Sequence, residues 1–439
     1  MKFTSFCCLA IAPLLSLACL LPEERAGLAR IPNRRRQSNG VPIATGDRYN
    51  GGTIAPRGVG TQSVTLTSIL NVNEINSGLR GLAAEYGIET FTTPYRTFNG
   101  ASIQGGKVGG TGTCNNAYRV YLNAMLHARE RGGSDGLLFF IGDLLYANKN
   151  NVGLNYGSKS YTNAQVKTAL ATGIVFTPLS NPDGVAYDQS SNSCWRKNRN
   201  TRSGSSGSSI GVDLNRNFDI LWDLNKWAPS ARGDVASSSP SSEVFHGTAP
   251  FSEPETQSMK WVLDTYPKIR WFVDMHSYAG DILYSWGTET NQGATANMNF
   301  LNTTYNSVRG IVTDTPGRNG GYGEYTPSAE SQINIAAARR MSQAMSTARG
   351  RTYGAIPGAE LYPTSGASDD YSYSRHFADP TKNLIHAYTP EFGFGNTASN
   401  CPFYPTQAQH NNNLAEIGAG FMEILLAGTD LGLGDAVSC

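Results

Sequence analysis

Residues 119–147 decide the fold; they read RVYLNAMLHARERGGSDGLLFFIGDLLYA. Residues 119–126 form an apolar run of strand length, and residues 135–147 form a longer apolar stretch of helix length, which Ser134 is expected to cap. The alternation recurs, with strands predicted at 172–179, 270–276 and 384–391 and helices at 253–265 and 411–426. Alternating strands and helices predict an α/β fold in which helices cover a mostly buried sheet. Because no linker interrupts residues 61–439, we expect a single domain there.

The overall charge excludes one class of function. The 439 residues carry 35 Lys and Arg against 34 Asp and Glu, a formal net charge of +1. A protein that binds nucleic acid through bulk charge needs a strong positive excess, so no nucleic-acid partner is expected. Hydrophobic residues at 39% and charged residues at 16% are typical of a globular chain with a large core.

The first sixty residues differ in character from the rest. Residues 1–20 combine Lys2 with an apolar stretch, the pattern of a secretory signal peptide and too short for a membrane span. Residues 21–60 are basic and predict a pro-segment or linker, in which the arginines at 34–36 form either a processing site or a solvated charge run. We therefore expect a secreted, extracellular protein without stable membrane association, whose folded domain occupies residues 61–439.

Four cysteines remain once the signal peptide is removed: Cys114, Cys194, Cys401 and Cys439. An even number in a secreted chain predicts two disulfides. The glycosylation acceptor pattern Asn302-Thr303-Thr304 also supports export.

Two predicted strands end in candidate metal ligands. His127 and Glu130 follow the first strand, and a His and a Glu three residues apart share a face, so both can reach one metal ion. His276 ends the strand at 270–276, and ligands of α/β sheets bind at such carboxyl ends. From spacing alone, each of these three residues could equally have a purely structural role. The pair His376 and Asp379 has the same spacing, and there a surface loop is the simpler interpretation.

A serine hydrolase is a competing interpretation of the same region. Residues 132–136 fit the G-x-S-x-G pattern. That nucleophile elbow needs a strand directly before it, whereas Arg129-Glu130-Arg131 precedes it here. Ser134 is better explained as a helix cap.

Further blocks follow the His-x-x-Glu pair in order: Asn181-Pro182-Asp183-Gly184, Cys194 to Arg199, Gly211 to Phe218, Ser252-Glu253-Pro254-Glu255, His276-Ser277-Tyr278 and Thr389-Pro390-Glu391-Phe392. This ordered set resembles the zinc metallocarboxypeptidases of the carboxypeptidase A/B type over about residues 61–439. The resemblance implies a single large domain with a central mixed, mostly parallel twisted sheet covered by helices, and one Zn²⁺ per chain.

The resemblance also implies a role for each matching residue. The zinc ligands are His127, Glu130 and His276, and they leave the open coordination position of a catalytic site. Glu391 is the general base and Arg196 stabilises the oxyanion. The remaining residues bind substrate: Asn215 and Arg216 hold its terminal carboxylate, Tyr362 closes over it, and Arg129, Ser277 and Tyr278 form secondary subsites.

These roles make peptide or protein C-termini the expected partners of a monomeric enzyme. Two other functions on the same fold are an inactive binding protein and a metal-dependent amidase or deacylase of non-peptide substrates. The complete set of ligands, base and carboxylate clamp argues against both.

Asp369, seven residues after Tyr362, matches a position on the floor of the family's specificity pocket. The resemblance implies that an acid at this position selects substrates with a C-terminal Lys or Arg. Gly287 leaves the pocket wall open. An unpaired buried carboxylate facing an apolar side chain is costly, so a basic preference is expected. The alternative is that Arg375 neutralises Asp369, which leaves an unselective or apolar-preferring pocket of the carboxypeptidase A type.

The chain departs from digestive relatives in three ways. Only some 40 residues separate the signal from the body, which is too few for their folded pro-domain. Serine and proline at 208–209 and 240–242 stand where those relatives often have a cystine. The stretch 288–360 is longer than usual and predicts an insertion of irregular and helical structure on the rim.

Strand polarity predicts the disulfide pairing. Cys194 precedes Arg196 and Cys401 follows Glu391, so both belong at the catalytic edge of the sheet. Cys114 begins the strand that leads to His127, about 40 Å away if extended, and so belongs at the far edge. The closing helix returns Cys439 to that edge. The predicted pairs are Cys194 with Cys401 and Cys114 with Cys439.

Overall fold

The computed structural model describes residues 40–112, 114–290, 292–293, 295–311, 321–435 and 439. The predicted signal peptide and the arginines at 34–36 lie outside these residues. The strands are β1 Glu89–Arg96, β2 Ser102–Val108, β3 Val120–Ala124, β4 Leu154–Tyr156, β5 Lys159–Tyr161, β6 Ile174–Thr177, β7 Trp271–Met275, β8 Asp281–Tyr284, β9 Gln292–Gly293, β10 Glu324–Tyr325, β11 Gly354–Pro357 and β12 His386–Glu391.

Eight of these strands form the central sheet, in the order β1-β2-β6-β3-β7-β12-β8-β11. The four central strands β6, β3, β7 and β12 run parallel to one another, whereas β2 and β8 flank them in antiparallel pairing. The sheet is therefore mixed with a parallel centre, and the predicted α/β class is confirmed. Two short pairs lie outside it: β4 with β5, which is antiparallel, and β9 with β10, which is parallel.

Helices cover the sheet. They are α1 Val72–Tyr86, α2 Gly133–Asn150, α3 Asn163–Ala171, α4 Pro182–Ser191, α5 Arg232–Val235, α6 Pro254–Thr265, α7 Ser328–Arg349, α8 Gly358–Leu361, α9 Ser368–Ala378 and α10 Gln407–Leu431. The predicted helices at 135–147, 253–265 and 411–426 correspond to α2, α6 and α10. In the described part of the chain, no helix combines the length and hydropathy that a bilayer span requires.

The central strands β3, β6 and β7 are buried on both faces, as parallel strands require. Along β3, Val120, Leu122 and Ala124 face the core formed with α2, α7 and α10. The alternate residue Tyr121 faces the second core, which includes Phe272 and Met259 of α6. Because successive side chains of a strand point to opposite faces of the sheet, β3 contributes residues to both cores.

The predicted rim insertion contributes a core helix. Within 288–360, the 22-residue helix α7 buries Met341 and Met345. Their side chains pack on Gly420 of α10 so closely that a Cβ atom there would meet Met345 Sδ at 2.9 Å. The expectation of helical structure is correct, but α7 belongs to the layer that covers the sheet, because its alanine-rich face and Gly420 allow close helix packing.

Ser134 does not cap helix α2, contrary to the sequence prediction. The helix begins at Gly133, and its N-cap is Gly132 with φ of 108°, a conformation that favours glycine. Ser134 is buried and donates its hydroxyl to the Pro178 carbonyl at 2.5 Å. A hydroxyl held in this way is also no serine nucleophile, so the G-x-S-x-G match has no catalytic meaning.

The domain starts earlier than the predicted boundary at residue 61. Val41 and Tyr49 are each 3% exposed, and the Val41 amide donates to the Pro405 carbonyl at 2.8 Å. The Arg48 guanidinium pairs with Glu74 of α1 at 2.8 Å. Residues 40–60 are thus packed parts of the domain and not a linker, because their apolar side chains complete its core.

Both predicted disulfides are confirmed. Cys114 pairs with Cys439, with a Cα separation of 5.6 Å, and Cys194 pairs with Cys401 at 5.5 Å. The first bond lies at the amino end of β3. The second joins the segment before Arg196 to the loop after Glu391.

One buried carboxyl makes stability depend on pH. Glu255, in the first turn of α6, is fully buried, and its Oε2 accepts from Asn198 at 3.0 Å. Burial and the adjacent Glu253 carboxylate raise the pKa of Glu255 to about 8. Because the folded pKa lies above the ordinary value of about 4.3, this group's contribution to stability is complete in acid and is lost as pH rises through about 8.

We therefore expect Glu255→Gln to raise the melting temperature relative to wild type at pH 9 and to change it little at pH 5. The measurement is thermal unfolding at both pH values. Glu85→Gln, at an exposed position, is the matched control with no such pH dependence. An equal difference between Glu255→Gln and wild type at pH 5 and pH 9 would contradict the assignment.

Candidate active site

The carboxyl ends of three neighbouring parallel strands bring the predicted catalytic residues together. In the register of β3 with β7, Ala124 lies beside Met275, so His127 and His276 emerge at the same edge. At the end of β12, the His276 amide donates to the Pro390 carbonyl at 3.0 Å. This places Glu391 beside His276, at the sheet edge where α/β proteins bind ligands.

Three buried side chains at this edge could hold a metal ion. Ligand atoms of His127, Glu130 and His276 all lie within 4.8 Å of one another. The Nδ1 atoms of the two imidazoles are 3.1 Å apart, and each approaches one oxygen of Glu130, at 2.7 Å and 3.1 Å. Among the residues that the structure describes, no other such cluster of three occurs. Two imidazoles and one carboxylate form the donor set of catalytic zinc sites.

Two aspartates behind the histidines orient them. Asp213 Oδ1 lies 2.9 Å from His127 Nε2, and Asp274 Oδ2 lies 3.1 Å from His276 Nε2. An Nε2–H of His127 that donates to Asp213 leaves the lone pair on Nδ1. The Asp274 carboxylate, at ion-pair distance from His276 Nε2, favours the same tautomer of the second ring. The sequence analysis assigned no role to either aspartate. The role of Asp274 could have been predicted from the sequence, because a residue two positions before His276 on a strand lies on the same face.

Asp213 also holds Arg196. Its second oxygen accepts from Arg196 Nε and Nη2, both at 3.0 Å. Burial raises the pKa of Asp213, but the charges of Arg196 and His127 outweigh it and hold the pKa well below its usual value. The carboxylate therefore stays ionised and fixes the guanidinium next to the three candidate ligands.

A cavity of about 300 Å³ lies over this edge. Its wall contains ten of the predicted site residues: His127, Glu130, Arg196, Asn215, Arg216, Ser277, Tyr278, Tyr362, Asp369 and Glu391. His276 lies beneath it, 1% exposed. The wall also contains residues that the sequence analysis did not select, among them Leu283, Leu361 and Phe394.

Arg129 lies behind the wall and does not line it. The side chain is fully buried, and its guanidinium stacks on the Phe403 ring at 4.2 Å and lies 3.7 Å from Glu243. Phe403 in turn contacts the ring of Tyr278, a residue of the cavity wall, at 4.9 Å. Arg129 therefore supports the predicted subsite from outside, because Phe403 covers its planar face.

Asn215 and Arg216 supply donors to the cavity wall. Asn215 Oδ1 accepts from the Ser368 amide at 2.8 Å, which leaves its NH₂ group for another partner. The Arg216 guanidinium is buried, with Nε on the Val235 carbonyl and Nη1 on the Asn215 carbonyl. Its Nη2 has no hydrogen-bond partner among the described residues. A buried, unsatisfied cationic donor of this kind suits a carboxylate ligand.

Asp369 forms part of the cavity floor at the start of α9. It is 5% exposed and accepts from the Asp370 amide at 2.9 Å. Burial raises the pKa of both carboxyls, and the Asp369 charge raises that of Asp370 further. Asp370 lies behind the wall residue Gly287 and accepts from its amide at 2.9 Å.

The suggested neutralisation of Asp369 by Arg375 is wrong. Arg375 forms its ion pair with Asp264. Residues six apart on a helix point to different sides, so α9 carries Arg375 away from the cavity. In the described part of the chain, Asp369 has no ion pair with a Lys or Arg side chain.

Comparisons with known proteins agree with this geometry. The mouse carboxypeptidase A2 is 35% identical over 169 residues, which are 38% of this chain and 35% of that protein. Bovine carboxypeptidase B is 30% identical over 200 residues, 45% of this chain and 37% of that protein. The chain thus spans about a third of the length of the curated relatives that it matches.

Solved structures share the fold. Bovine thrombin-activatable fibrinolysis inhibitor, solved in complex with tick carboxypeptidase inhibitor, superposes with a TM-score of 0.59 at 21% identity, covering 83% of this chain and 98% of that one. Carboxypeptidase A from Helicoverpa armigera gives a TM-score of 0.56 at 22% identity, covering 83% and 74%. The family model of the M14 peptidases matches residues 75–416, most of the chain, and the chain therefore belongs to the zinc carboxypeptidase family.

Proposed function

We propose that this protein is a secreted zinc metallocarboxypeptidase that hydrolyses the C-terminal peptide bond and prefers C-terminal Lys or Arg. One observation carries the proposal. One cavity, with the candidate metal ligands His127 and Glu130 in its wall and His276 beneath it, is also lined by Glu391, Arg216 with its buried unsatisfied donor, and the acid Asp369. A metal, a base and a carboxylate clamp in one cavity fit an exopeptidase better than an endopeptidase, whose substrate has no terminal carboxylate at the site.

The donor set fits one Zn²⁺ per chain, held by His127, Glu130 and His276. When bound, zinc acts as a Lewis acid that polarises the scissile carbonyl and makes water acidic enough to react near neutral pH. The ionised Asp213 and Asp274 keep both imidazoles in the ligating tautomer.

The chain's own groups would position the substrate and move its proton. Glu391 takes a proton from the attacking water and delivers it to the leaving amine. Arg196, fixed by Asp213, stabilises the oxyanion that develops on the carbonyl. Asn215 and Arg216 bind the terminal carboxylate, and Tyr362, whose ring lies 5.9 Å from the Arg216 guanidinium, covers it. Ser277 and Tyr278 contact residues before the scissile bond.

The proposed preference for a C-terminal Lys or Arg rests on the Asp369 carboxylate, which the substrate's positive charge would pair with. A carboxylate on the floor with no Lys or Arg partner loses solvation when an apolar side chain fills the pocket, at a cost of about 1 to 3 kcal/mol or more. A substrate ammonium or guanidinium group removes that cost. Gly287 and Gly358 also line the cavity and pack closely on each other, since a Cβ atom on Gly358 would meet Gly287 Cα at 3.0 Å.

The proposal also covers secretion and the oligomeric state. The amino-terminal sequence has the signal-peptide pattern, and the two disulfides suit an oxidising compartment. We also propose that the enzyme acts as a monomer on peptide or protein C-termini.

The test uses three peptides that differ only in a C-terminal Arg, Leu or Phe, with and without a zinc chelator. We expect release of the last residue, loss of release with chelator, and kcat/KM highest for Arg. Asp369→Asn, which keeps the shape of the floor, should reduce the advantage of Arg by about tenfold or more. Internal cleavage or no cleavage would overturn the carboxypeptidase proposal. Faster release of Leu or Phe than of Arg would overturn the basic preference alone.

A further inference from the structure

Lys197, the residue after Arg196, has a buried ammonium group that joins two surface loops. The residue is 1% exposed. Its Nζ donates to the carbonyl oxygens of Ser208 and Pro240, each at 2.7 Å. These carbonyls belong to the two serine-rich stretches at 203–209 and 237–242. The side chain therefore connects two segments that are about 30 residues apart in sequence.

The stem of Lys197 starts from a fixed backbone. The Arg196 carbonyl accepts from the Ala128 amide, next to His127, at 3.0 Å, and the Lys197 carbonyl accepts from Asn181 Nδ2 at 3.2 Å. The Asn198 amide donates to the Val212 carbonyl at 3.1 Å. Since both ends of this short segment are held, the ammonium group can act as a fixed point for the loops.

A buried ammonium is costly unless hydrogen bonds and opposite charge compensate it. Here two carbonyls supply the hydrogen bonds, and the buried Glu243 carboxyl feels the charge of Lys197 as well as that of Arg129. Neither disulfide joins the two loops. Lys197 therefore connects the two loops through its own two hydrogen bonds.

The two loops flank the residues that would bind the substrate carboxylate. The first leads directly into Asp213, Asn215 and Arg216. The second leads into Phe245, whose carbonyl accepts from the Asp213 amide at 2.8 Å. A displacement of the second loop would reach Arg216 through Val235, two residues before that loop, whose carbonyl accepts from Arg216 Nε at 2.9 Å. Arg196 is instead paired with Asp213 Oδ2 at 3.0 Å.

We propose that Lys197 is a positioning residue for the carboxylate clamp: by fixing the two serine-rich loops, it sets the position of Asn215 and Arg216. This inference rests on the carboxypeptidase function proposed above. The ligand concerned is the terminal carboxylate of a peptide.

The first test is Lys197→Met, which keeps the length of the stem and removes the donor. We expect KM for a peptide ending in Arg to rise about tenfold while kcat changes less than about threefold, the signature of lost uniform binding. Zinc content should stay unchanged. A second readout is independent of activity: trypsin should cut faster after Arg202, which is exposed and directly precedes the first loop.

Rescue separates positioning from general damage. Ser209 and Ser241 follow the two carbonyls that share the ammonium, so a cystine between them would replace the connection covalently. We expect Ser209→Cys with Ser241→Cys, in the Lys197→Met background, to restore KM and trypsin resistance when oxidised and to lose both on reduction. Wild type in the same reductant controls for the native disulfides. Lys167→Met, at an exposed lysine, controls for loss of a charge.

Unchanged KM in Lys197→Met would overturn the role of Lys197. So would a KM that stays raised after the new cystine has formed and trypsin resistance has returned. Absence of peptide hydrolysis by wild type would instead overturn the proposed function, and the trypsin readout would still report on the loops.

Discussion

Glu391→Gln is expected to lower kcat for a peptide substrate by about 10³-fold, since a positioned general base contributes typically 10² to 10⁴. The amide keeps the size of the carboxyl group but cannot accept a proton. The backbone at this position is held independently of the side chain, because the Glu391 carbonyl accepts from the Gly280 amide at 2.8 Å and the Phe392 amide donates to the His276 carbonyl at 2.8 Å. Zinc content and melting temperature should therefore match wild type.

The measurements are kcat, KM and metal content of the purified variant. Glu360→Gln is the matched control, since Glu360 is exposed and precedes the cavity residue Leu361; its kcat should stay within a factor of about two. A Glu391→Gln enzyme within tenfold of wild-type kcat would contradict the role of Glu391 as base. Loss of zinc from this variant would show that Glu391 takes part in metal binding.

The second large effect concerns the metal itself. His127→Ala, Glu130→Ala and His276→Ala are each expected to abolish stoichiometric zinc binding, because two remaining ligands hold zinc far less well than three. Hydrolysis should disappear with the metal. The direct measurement is zinc per chain after dialysis against a weak chelator, and circular dichroism shows whether the fold persists.

Graded variants make this test sharper. Asp213→Asn and Asp274→Asn leave the three ligands in place and should weaken zinc binding by about 10 to 100-fold. His376→Ala should keep full zinc occupancy, since His376 lies at the end of α9 and faces the Lys382 carbonyl at 2.8 Å. Full occupancy in any one ligand variant would remove that residue from the proposed site.

Much of the architecture follows from local pattern. The apolar runs before His127 and His276 predicted β3 and β7, and parallel strands of one sheet present their carboxyl ends together, so the grouping of His127, Glu130 and His276 is a consequence of topology. The disulfides followed from the same polarity. Element ends differ by a few residues, as with α10, where the capping box of Thr406 and Gln409 starts the helix at Gln407, before the predicted residue 411.

Other features depend on contacts that no local pattern contains. Asp213 acquires its role from a histidine 86 positions away in sequence. Ser134 has the sequence context of a cap, but the Pro178 carbonyl lies within its reach and offers a buried partner. Residues 40–60 are rich in Gly, Pro and Arg and resemble a linker, yet Val41 and Tyr49 find apolar surface on the finished domain. In each case tertiary packing outweighs local propensity.

The position of β12 has a consequence for the order of events during folding. This strand is the last in sequence, yet it occupies a place inside the sheet, between β7 and β8. A growing chain can form β3 and β7 with the three candidate ligands, but the slot between β7 and β8 stays empty until residue 391 has been made. Such long-range strand insertion is a slow step that needs most of the chain. Because Glu391, the proposed base, stands at the end of β12, the proposed site is complete only when this last strand has joined the sheet.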